Sequence, residues 1–202
     1  AYRRPLEFQK ATYAEAERSF NKIYSQHLFK RIEVAGGRWT FPEAVSAEEM
    51  KPLQDFMVHK LIQLAIKHDR PIQIHTGLQE GNENLITNAD PTHLVNLFIE
   101  YKEVKFDILH GSYPYTGELA VIAKNFHNVY IDMAWLHIVS PYAARRALSE
   151  WLDTVPSNKI LGFGGDYRFV EGVYGHYVMA KENVALTLAE KVEDEGYSLN
   201  EA

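Results

Sequence analysis

Three apolar runs in this 202-residue chain end on side chains that can hold a metal ion or carry a proton. Pro71 to Gly77 reads Pro-Ile-Gln-Ile-His-Thr-Gly, so an apolar strand closes on His75 and then meets a glycine turn. Lys105 to Tyr115 repeats the build, with His110 followed at once by Gly111, and Lys159 to Asp166 carries a third run through Gly164 and Gly165 to Asp166. If these runs are successive parallel strands, His75, His110 and Asp166 meet at their carboxyl ends, where parallel α/β folds place their chemistry. Two imidazoles and a carboxylate suit zinc or a similar divalent ion, which lowers the pKa of a bound water and supplies hydroxide for attack on an amide or ester. The carboxylate can instead act as proton shuttle. Side chains alternate along a strand, so Gln73 and His75 share a face, as do Phe106, Ile108 and His110, and both histidines are expected at the mouth. One strand-terminal histidine is more often structural; three such residues on consecutive units favour function.

The elements that must position them follow from periodicity. Four strands, at 71–75, 105–110, 128–133 and 159–163, alternate with helices at 90–101, 116–126, 140–152 and 175–193. That order gives βα units whose right-handed crossovers set the strands side by side and parallel. A complete eight-unit barrel typically takes about 250 residues, and four units do not close one. The expected fold is therefore α/β, a partial (β/α)8 TIM-type barrel holding strands five to eight, with the strand of His75 at one edge and that of Lys159 at the other. Apolar surface should be exposed on its inner face, because two strands and their neighbours lack partners.

Two helices precede the first strand. In the first, Ala16, Phe20, Ile23, Tyr24 and Leu28 recur at helical spacing over residues 12–31. Gly36 and Gly37 break it, and Trp39 to Pro42 forms a connector. Ser46 with Glu49 three residues on resembles a capping box, and Met50, Leu53, Met57, Leu61 and Leu64 mark the second helix's apolar face up to Arg70 and Pro71. His59 and His68 are expected at the surface or at a cap. Between Leu78 and Asp90 runs a polar loop, a wall for a site beyond His75.

The whole chain reads as one domain, residues 1–202. A net charge of -6 gives no basic stripe for phosphates and excludes a general nucleic-acid binder. Zero cysteines exclude thiolate metal sites, leaving His and carboxylate as ligands. No apolar run is long enough to span a bilayer, so a cytoplasmic protein with a small-molecule substrate and no membrane partner is expected.

The sequence is identified as similar to the carboxyl-terminal half of the amidohydrolase superfamily, in its amidohydrolase-related branch. The carrying motifs are Pro-x-x-x-His-Thr-Gly at 71–77, His-Gly-Ser-Tyr-Pro-Tyr at 110–115, Asn-Val-Tyr-Ile-Asp at 128–132 and Gly-Gly-Asp at 164–166. The resemblance implies that His75 and His110 follow strands five and six and that Asp166 follows strand eight. It implies a divalent metal, zinc being the expected ion, held by His75, His110 and Asp166, with Asp166 the general base and His110 a second catalytic group. The segment Ala1 to Arg4 looks like the stretch just beyond strand four. The family's His-x-His pair after strand one does not occur in these residues, so the amino-terminal half of the barrel is expected to be missing. Pairing with that half, or a homo-oligomer, are both open. By position alone, Tyr113, Tyr115 and Arg168 are candidates for substrate binding, the arginine through a substrate carboxylate. Asp132, Trp135 and His137 lie past strand seven and could line the mouth. A metal-dependent hydrolase leads these readings. A decarboxylase of the same superfamily, and a non-catalytic barrel fragment acting in assembly, are the alternatives.

Overall fold

The computed structural model describes residues 4–25, 45–194, 196–198 and 200, which fall into two compact units: Phe8–His68, and Asp69 onward with the first seven residues. In the first unit α1 (Tyr13–Ser25) and α2 (Ala47–Lys67) lie side by side. Tyr13 meets Phe56 edge-on with ring centroids 6.1 Å apart, and the Ser19 hydroxyl donates to the Glu49 carbonyl at 2.5 Å. The capping box forms as read: Ser46 Oγ accepts from Glu49 N at 3.2 Å and the Glu49 carboxylate accepts from Ser46 N at 3.0 Å.

The stripe expected to be the buried face of α2 is not the one that is buried. Met57, Leu61 and Leu64 are exposed, while Met50, Asp55, His59, Ile62 and Ala65 are buried. The sequence carries two overlapping stripes, and the buried one takes in polar groups because they have partners: Asp55 accepts from Gln9 N at 3.1 Å and pairs with Lys51. His59 is therefore a buried residue and not a surface one; His68 is the helix's C-cap. In α1, Ala16 is buried but Phe20 and Tyr24 are exposed. Leu28, the rest of the first helix's expected span, the Gly36-Gly37 break and the connector at 39–42 lie outside the described residues.

The second unit holds the sheet. Strands β1 (Ile72–His75), β2 (Phe106–Leu109), β3 (Val129–Asp132) and β4 (Ile160–Leu161) are all parallel and stand in the order β1-β2-β3-β4. Each crossover carries helix: α3 (Val95–Glu100) after β1, α4 (Thr116–Asn125) after β2, α5 (Leu136–Val139) and α6 (Pro141–Thr154) after β3, and α7 (Val170–Asp194) after β4. The fold is a partial (β/α)8 barrel, with β1 and β4 as its edges. Asp90 and Ser140 start helical segments by accepting from Thr92 N at 2.8 Å and Ala143 N at 3.2 Å, each just before a proline. β4 is shorter than the expected 159–163, since Gly162, Gly164 and Gly165 follow Leu161 directly and lead out of the sheet.

Cross-strand register fixes the two faces. Phe106 aligns with Val129 and Ile108 with Ile131, and all four are fully buried; Phe98 of α3 packs edge-on against Phe106 at 5.0 Å. Trp151 of α6, also fully buried, donates its indole N–H to the Thr116 carbonyl of α4 at 3.0 Å and ties neighbouring helices together. The other face carries Gln73, His75, Asp107, Leu109, Tyr130, Asp132 and Leu161. This corrects the expectation of an apolar inner face: Leu161, 41% exposed, is its one exposed large hydrophobic among the described residues. Gln73 Nε2 donates to Asp107 Oδ2 at 2.9 Å there. Among the described residues no helix is long and apolar enough to cross a membrane.

Candidate active site at the carboxyl end of the sheet

His75 is the last residue of β1, and its ring lies half-buried against the turn that follows. Gly77, at φ 67°, makes that turn, and a side chain there would come within 2.4 Å of the Ser112 and Tyr113 backbone. The loops after β1 and β2 are thereby locked together. Thr76 Oγ1 donates to the Leu109 carbonyl at 3.0 Å and meets Ser112 Oγ at 2.5 Å, and Leu78 N donates to the Tyr113 carbonyl at 2.7 Å.

His110 reaches the site by a route that strand alternation does not predict. His75 aligns with Leu109, so a continued strand would send His110 to the opposite, helix-covered face together with Phe106 and Ile108. The strand stops instead. His110, Gly111 and Ser112 take φ values of 64°, 53° and 52°, a left-handed turn that carries the imidazole back to His75. Left-handed backbone costs roughly 1–2 kcal/mol for each non-glycine residue. Trp135 (φ 63°) and Asp166 (φ 48°), on the exits of β3 and β4, share the conformation. Of the non-glycine residues with positive φ among the described residues, only Asp69 and Glu83 lie elsewhere. Strained backbone tends to cluster at functional sites, which makes this end of the sheet the candidate.

The two rings are 4.2 Å apart between centroids, with His110 Nε2 3.0 Å from His75 Nδ1. Each ring's other nitrogen faces a backbone carbonyl: His75 Nε2 lies 2.6 Å from Leu78 O, and His110 Nδ1 lies 2.9 Å from Ala134 O. A carbonyl only accepts, so both of those nitrogens carry the hydrogen. In neutral rings the two facing nitrogens are then both lone pairs, and a cation between them relieves the clash. A proton on His75 is disfavoured, because burial and then the neighbouring His110 lower its pKa to about 4. Divalent metal fits this donor set. Ligand imidazoles characteristically give their second N–H to a carbonyl, and two nitrogens about 2.1 Å from one ion lie roughly 3.0–3.4 Å apart at angles near 90–109°.

Asp166 completes the approach, with Oδ2 4.0 Å from His110 Nε2 and its side chain 62% exposed. Its carbonyl accepts from the Trp135 indole at 2.9 Å, and Trp135 stacks on Tyr167 at 5.2 Å. Among the described residues no three His, Asp or Glu are arranged closely enough to hold an ion by themselves. The chain supplies a close imidazole pair with a carboxylate beside it.

Other candidates are less central. Tyr113 is half-buried, and its backbone takes part in the loop lock. Tyr115 lies towards Asp90 and Glu118; burial and then those charges raise its pKa. Arg168 is exposed on the loop after β4. Asp132 accepts from Ala134 N at 2.7 Å, and burial, Asp107 and Asp166 raise its pKa to about 6. His137 Nε2 donates to the Gly162 carbonyl at 2.9 Å and so supports the β4 exit from below. Two polar residues near the site went unrecognised in the sequence. Asp107, inside an apolar strand, faces Gln73; His176 of α7 is buried beneath the β4 exit, and the only sequence signal for it is a polar residue on a buried helical stripe.

Residues 25–193 match the amidohydrolase family model. The chain is 32% identical over 160 residues to protein fluG of Emericella nidulans, covering 76% of this chain and 18% of that protein. A solved structure from Lactobacillus casei, assigned as a metal-dependent hydrolase, superposes with TM-score 0.75 at 24% identity over 99% of this chain and 48% of its own. Uronate isomerase from Thermotoga maritima gives TM-score 0.74 at 16% identity, over 98% and 44%. The chain thus spans under a fifth of its fungal relative and about half of each barrel neighbour, and those structural likenesses establish the fold alone. By the span of the family match and the likeness to its fungal relative, the chain belongs to the amidohydrolase family.

Proposed function

We propose that this chain carries one side of the active site of a metal-dependent hydrolase that cleaves an amide or ester bond with water. The observation that carries the reading is the pair of imidazole nitrogens facing each other at 3.0 Å, each ring's other nitrogen against a backbone carbonyl. His75 and His110 would hold a divalent ion, zinc fitting two nitrogen donors, and Asp166 would lie next to it. When bound, such an ion polarises a carbonyl and lowers the pKa of a water molecule. The residues' own work is then positional. His110 is aimed by its left-handed turn and by Ala134, and Asp166, open to solvent, accepts the proton released by water and returns it to the leaving group. Tyr113, Tyr115 and Arg168 remain the candidates for substrate contact, a small molecule entering from the carboxyl end of the strands.

Decarboxylation is the second reading: such a reaction needs an acid to protonate carbon, and Asp132, buried beside the site with its pKa raised to about 6, would hold a proton in mildly acidic solution. Zinc titration with the product followed by mass separates these readings. The expected result is weak zinc uptake by the wild-type chain, since a solvent-open half-site lacks the remaining ligands. Uptake should fall further in His75→Ala and Asp166→Asn, with little hydrolysis by the chain alone. Equal uptake by wild type and the His75→Ala, His110→Ala double variant would end the metal reading, and carbon dioxide release would move it to decarboxylation.

A further inference from the structure

α7 is built the wrong way round for a helix at a finished surface. The stripe it buries, repeating at three and four residues, is His176, Ala180, Asn183, Thr187 and Lys191, all but one of them polar. A second stripe at the same spacing is apolar and open. Val170 and Tyr174 are 73% and 70% exposed, Tyr177 and Val178 are exposed as well, and Leu188 and Val192, half-buried, continue it. An amphipathic helix places its apolar stripe against protein. Adjoining apolar side chains left in water and bordered by charges, here Glu171 and Glu182, mark an interaction surface.

The topology shows what is missing beside it. α6 packs between α4 and α7, so each of these helices meets the helix of the next unit, and α7 is the last of the series. β4, the strand it follows, is paired with β3 alone among the described strands, leaving its other edge open. The Lactobacillus casei barrel superposes on 99% of this chain but on only 48% of its own, so a molecule of this fold carries about the same length again. An open parallel edge flanked by a bare apolar helix stripe fits one more β/α unit in the same sense. A second copy of the chain fits less well, because closing a barrel with it would turn another Asp107, Asp132 and Asp166 towards the first set. We propose that the apolar stripe of α7 and the free edge of β4 form the docking face for a different parallel β/α half-barrel, which lays a helix on Val170, Tyr174 and Val178 and a strand beside β4. Val170 stands four residues from Asp166, so docking also closes the solvent-open side of the half-site. That consequence rests on the metal reading given above; the docking does not.

Protein fluG of Emericella nidulans supplies the probe: its segments flanking the 160 matched residues are made separately and titrated against this chain without metal. One of them should bind, and the β4 amides should exchange more slowly in the complex. Val170→Lys and Tyr174→Glu, at positions the isolated fold leaves in water, should keep the melting temperature and weaken binding by roughly tenfold or more. Val121→Lys, at an exposed apolar position of α4, should change neither. Failure of both segments to bind overturns the proposal, and so does binding that Val170→Lys and Tyr174→Glu leave unchanged. Sedimentation of the chain alone is the third arm: a dimer that the same two substitutions break makes the occupant a second copy and overturns it as well. Zinc uptake is measured with and without the bound segment. Equal uptake removes the consequence for the half-site, while the metal-free titration still decides the docking face.

Discussion

On one face of the sheet Phe106, Ile108, Val129 and Ile131 are fully buried under helices, and on the other Gln73, His75, Asp107, Tyr130 and Asp132 form a polar surface with Leu161 at its margin. The first face is a finished core, where apolar side chains interlock at the density of a protein interior. The second contains carboxyls held partly out of water: burial raises the pKa of Asp107, and of Asp132 to about 6. The packing that stabilises this unit therefore resides on one side of its sheet, and the candidate site on the other. The inner face tolerates groups that a core would reject because it is not serving as one.

The sharpest way to break this contrast is to cut into the finished face. Ile108→Ala should cost about 2–5 kcal/mol in urea unfolding, the range for buried large-to-small changes. A cost near zero would mean that the unit is not held together from that side. The second experiment removes a charge from the polar face. Asp132 has a folded pKa raised to about 6 from 3.8, so its contribution is present below 3.8 and lost as pH rises through about 6. Asp132→Asn, whose amide oxygen can still accept from Ala134 N, should stabilise the chain by roughly 1–3 kcal/mol at pH 7, with the gain vanishing near pH 4. His75 acts in the opposite direction. Its folded pKa is lowered to about 4 from 6.5, so its contribution is present above 6.5 and lost as pH falls through about 4. In wild type the two slopes oppose each other between about 4 and 6, and in Asp132→Asn the acid loss should steepen. Zinc at ten times its dissociation constant should add about 1.4 kcal/mol to wild type and nothing to His75→Ala. The smallest effect is expected at the margin, where Leu161→Ala should change stability by no more than about 0.5 kcal/mol. A larger loss would show that the inner face is packed after all.

Much of this could be read from the residues. Four apolar runs alternating with helical patterns give a parallel sheet in chain order, and the terminal positions of His75 and His110 bring them to one end. What could not be read depends on backbone signs and on competing stripes. His110 meets His75 because three successive residues turn left-handed, whereas the sequence reading brought it to the mouth along a continuing strand, which the register of β1 on β2 would have sent to the other face. In α2 two apolar stripes overlap, and the more hydrophobic one is exposed, since Asp55 has partners that make its burial affordable. Asp107 stands in the middle of an apolar run, where only its register opposite Gln73 explains it.

At φ 48° Asp166 occupies a conformation in which glycine rests without strain, and its largely solvated side chain contributes little packing. Asp166→Gly should consequently leave the fold intact or strengthen it slightly. Removal of that carboxylate would thus be invisible to any assay of stability, and only a binding or activity readout at the β4 exit would register it.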